Sequence, residues 1–328
     1  MRSPLVLTLP MRSRSLVPLG VLMLLSLAGG MSPLLAQRDS SFAVARNAVV
    51  DITVRTGRLV VRGGPASTGA IRGRSGDYQL RTTGVGVTLE ASEDMRSSRS
   101  DRSDRSDRSD RSSRTASRRN DATLELDLPR NVRLVISTAS ADVDVSGIDG
   151  DVEIRTTSGD VSLDDIGGRL TLETLSGDIR LGGRSGPARV TTMSGDITLR
   201  GVRDEANVHT TSGDVLLGMD RAARVEVESI SGDITFDGNT TDDARLQITT
   251  HSGDVTLRLP ENVRGSMDVS TFNGDMTASG SLTLMPNSLT SSRSERAVRR
   301  YEIGGGGSTR FTISTFNGDV RVVRGNRS

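Results

Sequence analysis

The sequence predicts an all-β chain: a parallel β-solenoid or β-helix-like stack of two-strand repeats, each roughly 18–21 residues long. Three observations predict it. First, a Ser-Gly-Asp type motif recurs with its aspartate at Asp142, Asp160, Asp178, Asp196, Asp214, Asp233, Asp254, Asp275 and Asp319, at intervals of 18, 18, 18, 18, 19, 21, 21 and 44 residues. A fixed period in this range is the mark of stacked repeats, since one unit cannot bury its apolar face alone. Second, the positions one and three after each Asp are apolar throughout, as in Val161 and Leu163 or Ile197 and Leu199, with mostly polar residues between them. That alternation describes a strand with one buried face. Third, the positions six and eight before the Asp are mostly apolar, as in Val152/Ile154, Leu170/Leu172, Val225/Val227 and Leu246/Ile248. A second strand therefore leads into the turn. The simplest arrangement is two facing parallel sheets with one rung per repeat, rising about 4.8 Å each, so that roughly ten rungs make a rod on the order of 50 Å.

Residues 1–36 read as a secretion signal: Arg12 and Arg14 precede the apolar run Leu16–Ala28, Met11 could be the start, and Ala36 suits cleavage. The alternative is an uncleaved anchor, against which Pro18, Gly20, Gly29, Gly30 and Pro33 argue. Residues 37–95 carry degenerate repeats. Ile52–Val61 fits the apolar columns with Arg58 in place of the Asp, Ser75-Gly76-Asp77 leads to Tyr78 and Leu80, and Val85, Val87 and Leu89 alternate as another strand. Atypical end repeats are expected, because they cap the core.

Residues 96–121 are an insertion expected to be disordered. Its Arg-Ser-Asp units over 96–119 contain nine Arg and four Asp, so the tract is about +5 within a chain of net charge +1. It is a solvated loop or an electrostatic contact for an anionic polymer. Residues 122–328 continue the same domain as regular repeats. The period breaks over 281–303 as an irregular excursion or atypical rung, the chain returns at Gly304–Gly307, and Phe311–Val323 closes the stack as the final rung.

Composition agrees: no Trp, no Cys, 36 Gly and 2% aromatics leave aliphatic residues to build the core. Without Cys there is neither a lipoprotein attachment site nor a disulfide framework.

The turn residues are structural candidates: Gly159 and Asp160, Gly177 and Asp178, Gly195 and Asp196, Gly213 and Asp214, Gly232 and Asp233, Gly253 and Asp254, Gly274 and Asp275, Gly318 and Asp319. Glycine supplies a positive φ between two strands. Aspartates stacked about 4.8 Å apart repel by roughly 0.9 kcal/mol in water and about 3.5 at an effective dielectric of 20. An Asx-type cap of the turn offsets this; a bound cation is the other reading, but one Gly and one Asp per turn offer too few oxygens for Ca²⁺. No metal or other cofactor is expected. Two and four positions before the Asp, Ser/Asn and Thr columns (Ser194 and Thr192 in one repeat) face inward by parity, as hydroxyl and amide ladders bonded to their copies or to turn backbone.

Catalysis has little support. The chain has no Cys and no Lys, and its two histidines, His209 and His251, fall in different outward columns. Polysaccharide-acting β-helix enzymes use Asp clusters that break their repeat, whereas here the Asp defines it. One outward column, three positions before the Asp, holds large apolar residues at Leu175, Met193, Ile230, Phe272 and Phe316, beside Thr157, Thr211 and His251. An exposed stripe of this kind marks an interaction surface, unless a flanking loop or the 281–303 excursion covers it.

The Thr-x-Ser-Gly-Asp-Val-x-Leu repeats resemble those of a known bacterial family. So do Leu128-Pro129 and Leu259-Pro260, each followed by a strand and turn, and the ending Ile303-Gly304-Gly305-Gly306-Gly307-Ser308 with Ser314-Thr315-Phe316-Asn317-Gly318-Asp319-Val320. It is a family of unknown function with β-strand repeats and an adhesin label, similar to the head domain of auto-transporter adhesins. The resemblance covers roughly residues 48–328. It implies a solenoid-like fold at the cell surface or in the envelope, and no catalytic residues. Its relatives are also associated with envelope-stress signalling. The expectation is an exported, non-enzymatic binding or scaffold protein, secreted, periplasmic or on the cell surface. Its partner is an envelope protein, a glycan or a second copy; the alternatives are a stress-sensing scaffold and, behind it, a polysaccharide-acting enzyme. No specific nucleic acid is expected, and the membrane is met only through the signal segment before cleavage.

Overall fold

A computed structural model describes residues 40–45, 47–65, 68–72, 78–83, 86–91, 123–279, 282–284 and 298–325. The expected signal (1–36) and the Arg-Ser-Asp insertion lie outside them, as does Ser75-Gly76-Asp77. Among the described residues the protein is all-β, and every regular element is a strand.

Successive repeats pair in parallel with equivalent residues side by side. Val143, Val161, Ile179, Ile197, Val215, Ile234 and Val255 follow one another across the sheet in one column. Leu134, Val152, Leu170, Ala188, Ala206, Val225 and Leu246 do the same on the strands before the turn. Side chains in both columns are buried, and together they make one continuous apolar core. The cause is the one read from the sequence: a half-apolar strand buries its stripe only against its copy in the next rung.

The second bend is smoother than expected. In the later repeats the chain is continuous strand from one Asp turn to the next, over Ile197–Ser212, Val215–Ser231 and Ile234–Ser252, and the bend appears as register shifts inside the ladder.

At the N-terminal end, Val49–Gly64 is a genuine rung. It pairs with Arg133–Ile148 so that Arg58 stands beside Asp142. Arg58 reaches Asp144 at 2.7 Å, and that hydrogen bond, with the nearby negative charge, holds its guanidinium above its ordinary range. The next segment departs from expectation. Tyr78–Thr83 is not a parallel rung; it pairs antiparallel with Gly86–Ala91, which in turn lies parallel to Val49–Thr53. Thr68–Arg72 likewise runs antiparallel to Ser40–Ala43 and Thr123–Pro129. Antiparallel strands thus cover the edge that the parallel stack would leave open.

The other end corrects two expectations. Residues 309–324 do not close the stack. Thr309–Asn317 lies parallel to Ile234–Ser252 on one edge and to Gly265–Asn273 on the other. Val320–Arg324 lies in the same way between Val255–Leu259 and Met276–Ser279. The rung latest in sequence therefore sits between two earlier ones, and the interval of 44 residues between Asp275 and Asp319 is a contact between adjacent rungs. Nor is the excursion irregular throughout: Val298–Ile303 pairs antiparallel with Gly265–Ser270 and with Leu282–Leu284, capping part of the last rung.

Candidate binding surface

The site is built from the turn outward. Gly159, Gly177, Gly195, Gly213, Gly232, Gly253, Gly274 and Gly318 have φ between +116° and +157°, where side chains are rarely tolerated. Each also lies against its copy: a Cβ on Gly195 would stand 2.2 Å from the carbonyl oxygen of Gly177. Two requirements therefore select glycine in this column, a backbone angle and a close approach.

The aspartates behind these glycines form a ladder. Asp178 N donates to Asp160 Oδ1 at 3.0 Å, Asp196 N to Asp178 Oδ1 at 3.1 Å, and Asp214 N to Asp196 Oδ1 at 3.0 Å. The row runs on through Asp233, Asp254 and Asp319 to Asp275. Each carboxylate caps the backbone of the neighbouring rung, where an Asx turn would have used its own. Backbone N–H donors thus offset the repulsion within the row. Among the described residues no group of three or more His, Asp or Glu side chains is placed to hold a metal ion.

The Thr and Ser columns part company. Thr156, Thr174, Thr192, Thr210, Ser229 and Thr250 are buried, and each hydroxyl donates to the carbonyl two residues on, as Thr192 Oγ1 does to Ser194 O at 3.1 Å. The Ser and Asn column is not inward. Ser158, Ser176, Ser194, Ser212 and Ser252 are half-buried, and Ser140, Ser231, Asn273 and Asn317 are exposed. The positive-φ glycine begins immediately after them, so the chain is already rounding the corner and strict alternation no longer holds.

The outward column three positions before the Asp is exposed except at Phe316, which is half-buried between the rings on either side of it. Leu175, Met193, Ile230 and Phe272 are 48, 55, 56 and 63% accessible and are, among the described residues, the large apolar side chains most open to solvent. The altered rung order completes the column. Its last three members, in space, are His251, Phe316 and Phe272, whose rings stack: centroids 4.9 Å apart at 9° for His251 and Phe316, and 4.8 Å at 7° for Phe316 and Phe272. Sequence reading put Phe272 and Phe316 in one column but missed the ladder. The signal was the repeated Ser-Thr-Phe-Asn-Gly-Asp at 270–275 and 314–319, which marks two rungs that fit beside each other.

The histidines do not converge. His209 Nδ1 lies 3.1 Å from Glu228 Oε2 on the next rung, and His251 belongs to the ring stack. A surface groove of about 510 Å³ is lined by Arg58, Arg62, Glu125, Asp144 and Asp164, and its arginines are already paired, Arg62 with Glu125 at 3.1 Å and Arg58 with Asp144.

Comparison with known proteins gives a family. The family model described as Toastrack DUF4097 matches residues 105–240 and 186–323. No curated protein matches the sequence. A solved structure from Clostridium sporogenes, named for cell adhesion, aligns over 88% of this chain and 100% of its own at 12% identity, with a TM-score of 0.23. Another from Bacteroides fragilis, named as an adhesin, aligns over 89% and 100% at 13% identity, with a TM-score of 0.39. Both scores are too low for either likeness to bear on function.

Proposed function

We propose, for a chain that belongs to the Toastrack DUF4097 family, an exported, non-enzymatic β-solenoid that presents one long binding surface in the cell envelope. The turns of the solenoid are the repeats of roughly 18–21 residues that the sequence marks. The observation that carries the reading is the exposed apolar column Leu175, Met193, Ile230, Phe272 with its ring stack. A solenoid turns one exposed position per repeat into a continuous stripe, and stripes of this kind suit extended partners.

The rings favour a protein partner over a glycan. Sugars dock on aromatic faces, yet both faces of Phe316 are taken, one by His251 and one by Phe272. The middle of the ladder therefore offers ring edge rather than face, beside the Asp row, which suits side chains of another polypeptide.

The test is the triple substitution Leu175→Ser, Met193→Ser, Ile230→Ser, read by melting temperature, self-association and retention of envelope proteins. Unchanged melting with lost association is the expected result. A large fall in melting temperature would show that the column belongs to the core and that the proposed surface does not exist.

A further inference from the structure

We propose that residues 309–324 are an exchangeable strand, and that the slot they fill accepts the same segment from a second copy of this chain. The slot is bounded by residues 245–259 on one side and 265–279 on the other, and it is closed by main-chain ladders along both. Phe311, Ile313, Thr315, Val320 and Val322 fill it and are buried. Asp319 N donates to Asp254 Oδ1, and Asp319 Oδ1 accepts from Asp275 N, both at 2.8 Å. None of these contacts depends on the segment being joined to the chain that forms the slot. A second copy's segment makes every one of them.

The connection that would open is soft. Val298–Ile303 lies along one edge of Gly265–Asn273, and Thr309–Asn317 lies along the other. The chain passes between them through Gly304–Gly307, with φ of +64°, +86° and +87° at the first three. Nothing lies within 4 Å of the place a Gly305 side chain would occupy. A run of glycines holds its folded path weakly, because the same residues reach many other paths. Straightening it removes a turn and leaves the strands on either side intact, which is the usual geometry of exchange between protomers.

Exchange would give the binding stripe a composite end, with the second copy's Phe316 between His251 and Phe272. Two linked stripes then engage a repetitive partner with the advantage of multivalency. The inference goes beyond the proposed function, since exchange holds whether or not the stripe binds anything.

The chain contains no cysteine, so introduced thiols report cleanly. Gln247 and Thr312 face each other across the slot in register, and both are exposed. Full-length Gln247→Cys and Thr312→Cys proteins, carrying different tags, are mixed, unfolded, refolded together and treated with a short bismaleimide. The expected result is a covalent heterodimer that neither variant gives alone. Thr312→Cys mixed with Thr198→Cys, which is several rungs away, should give none. If variants do not refold, co-expression of the tagged pair followed by crosslinking gives the same readout. A heterodimer no more abundant than in these controls would overturn the proposal. So would the double variant Gln247→Cys, Thr312→Cys crosslinking only within single chains, with light scattering showing monomer throughout.

Discussion

Replacing Gly195 by alanine tests the turn column most directly. The residue has φ +122°, and the new Cβ would lie 2.2 Å from Gly177 O and 2.7 Å from its carbonyl carbon. Holding an L-residue at such an angle costs about 1–3 kcal/mol. The contact is also more than about 1 Å short of van der Waals separation, and the obstacle is backbone, so one rung must move away from the other. That movement strains the bonds closing the turn, Ile179 N to Asp196 O at 2.9 Å and Asp196 N to Asp178 Oδ1 at 3.1 Å. Losing one of them adds about 1 kcal/mol. The sum is about 2–4 kcal/mol, which lowers the urea midpoint by on the order of 1 M at the usual slope. Asparagine should not rescue, because its tolerance is for φ near +57°. Valine should do worse, being branched at the atom that clashes. Gly325→Ala is the control: it has open space around it and should fall within about 0.5 kcal/mol of the parent. If Gly195→Ala and Gly325→Ala unfold at the same urea concentration, the close-approach account of the column is wrong.

Other outcomes follow from the same geometry. Asp196→Asn keeps an acceptor for Asp214 N and should cost little, whereas Asp196→Ala should cost about 1 kcal/mol in the same titration. Phe236→Ala empties a fully buried site between Leu217 and Leu257 and should lower stability by about 3–5 kcal/mol. Asp268 holds Arg300 above its ordinary range through a two-point contact at 2.6 and 2.8 Å, but the pair is solvent-exposed. Arg300→Ala should therefore cost under about 1 kcal/mol, and thermal scans at high salt should shrink the difference.

How much of this was legible depended on whether a residue's neighbour was fixed by period alone. Val161, Ile179 and Ile197 keep one offset from the Asp, so their register could be written down from the sequence. Ser194 could not be placed by alternation, because Gly195 turns the chain before alternation has completed another step. The order of the last rungs was hidden for a different reason. Phe311, Ile313 and Val320 carry the same apolar pattern as Met267, Val269 and Met276, so either rung fits beside Leu246, Ile248 and Val255. Pattern alone assigns rungs in chain order, and only three-dimensional pairing shows that the later one lies inside. The strand Tyr78–Thr83 misled similarly: apolar alternation is the same in a parallel rung and in an antiparallel hairpin. The stripe was visible as a column of side chains, but its ring stack depended on the rung order and so could not be read.

The interior position of residues 309–324 also bears on how the protein is made. Residues 265–279 emerge before 309–324, whether from the ribosome or from an export channel, and meet an uncovered, pattern-matched edge on 245–259. The 44 residues from Asp275 to Asp319 take about 2–9 s to synthesise at 5–20 residues per second, far longer than strands need to pair. Early pairing in chain order would be a kinetic trap, to be undone before the later rung is admitted. Maturation should show a slow phase that is absent from the rungs between Asp142 and Asp254, and a chain stopped near residue 300 should be left with a well-paired but wrongly ordered end.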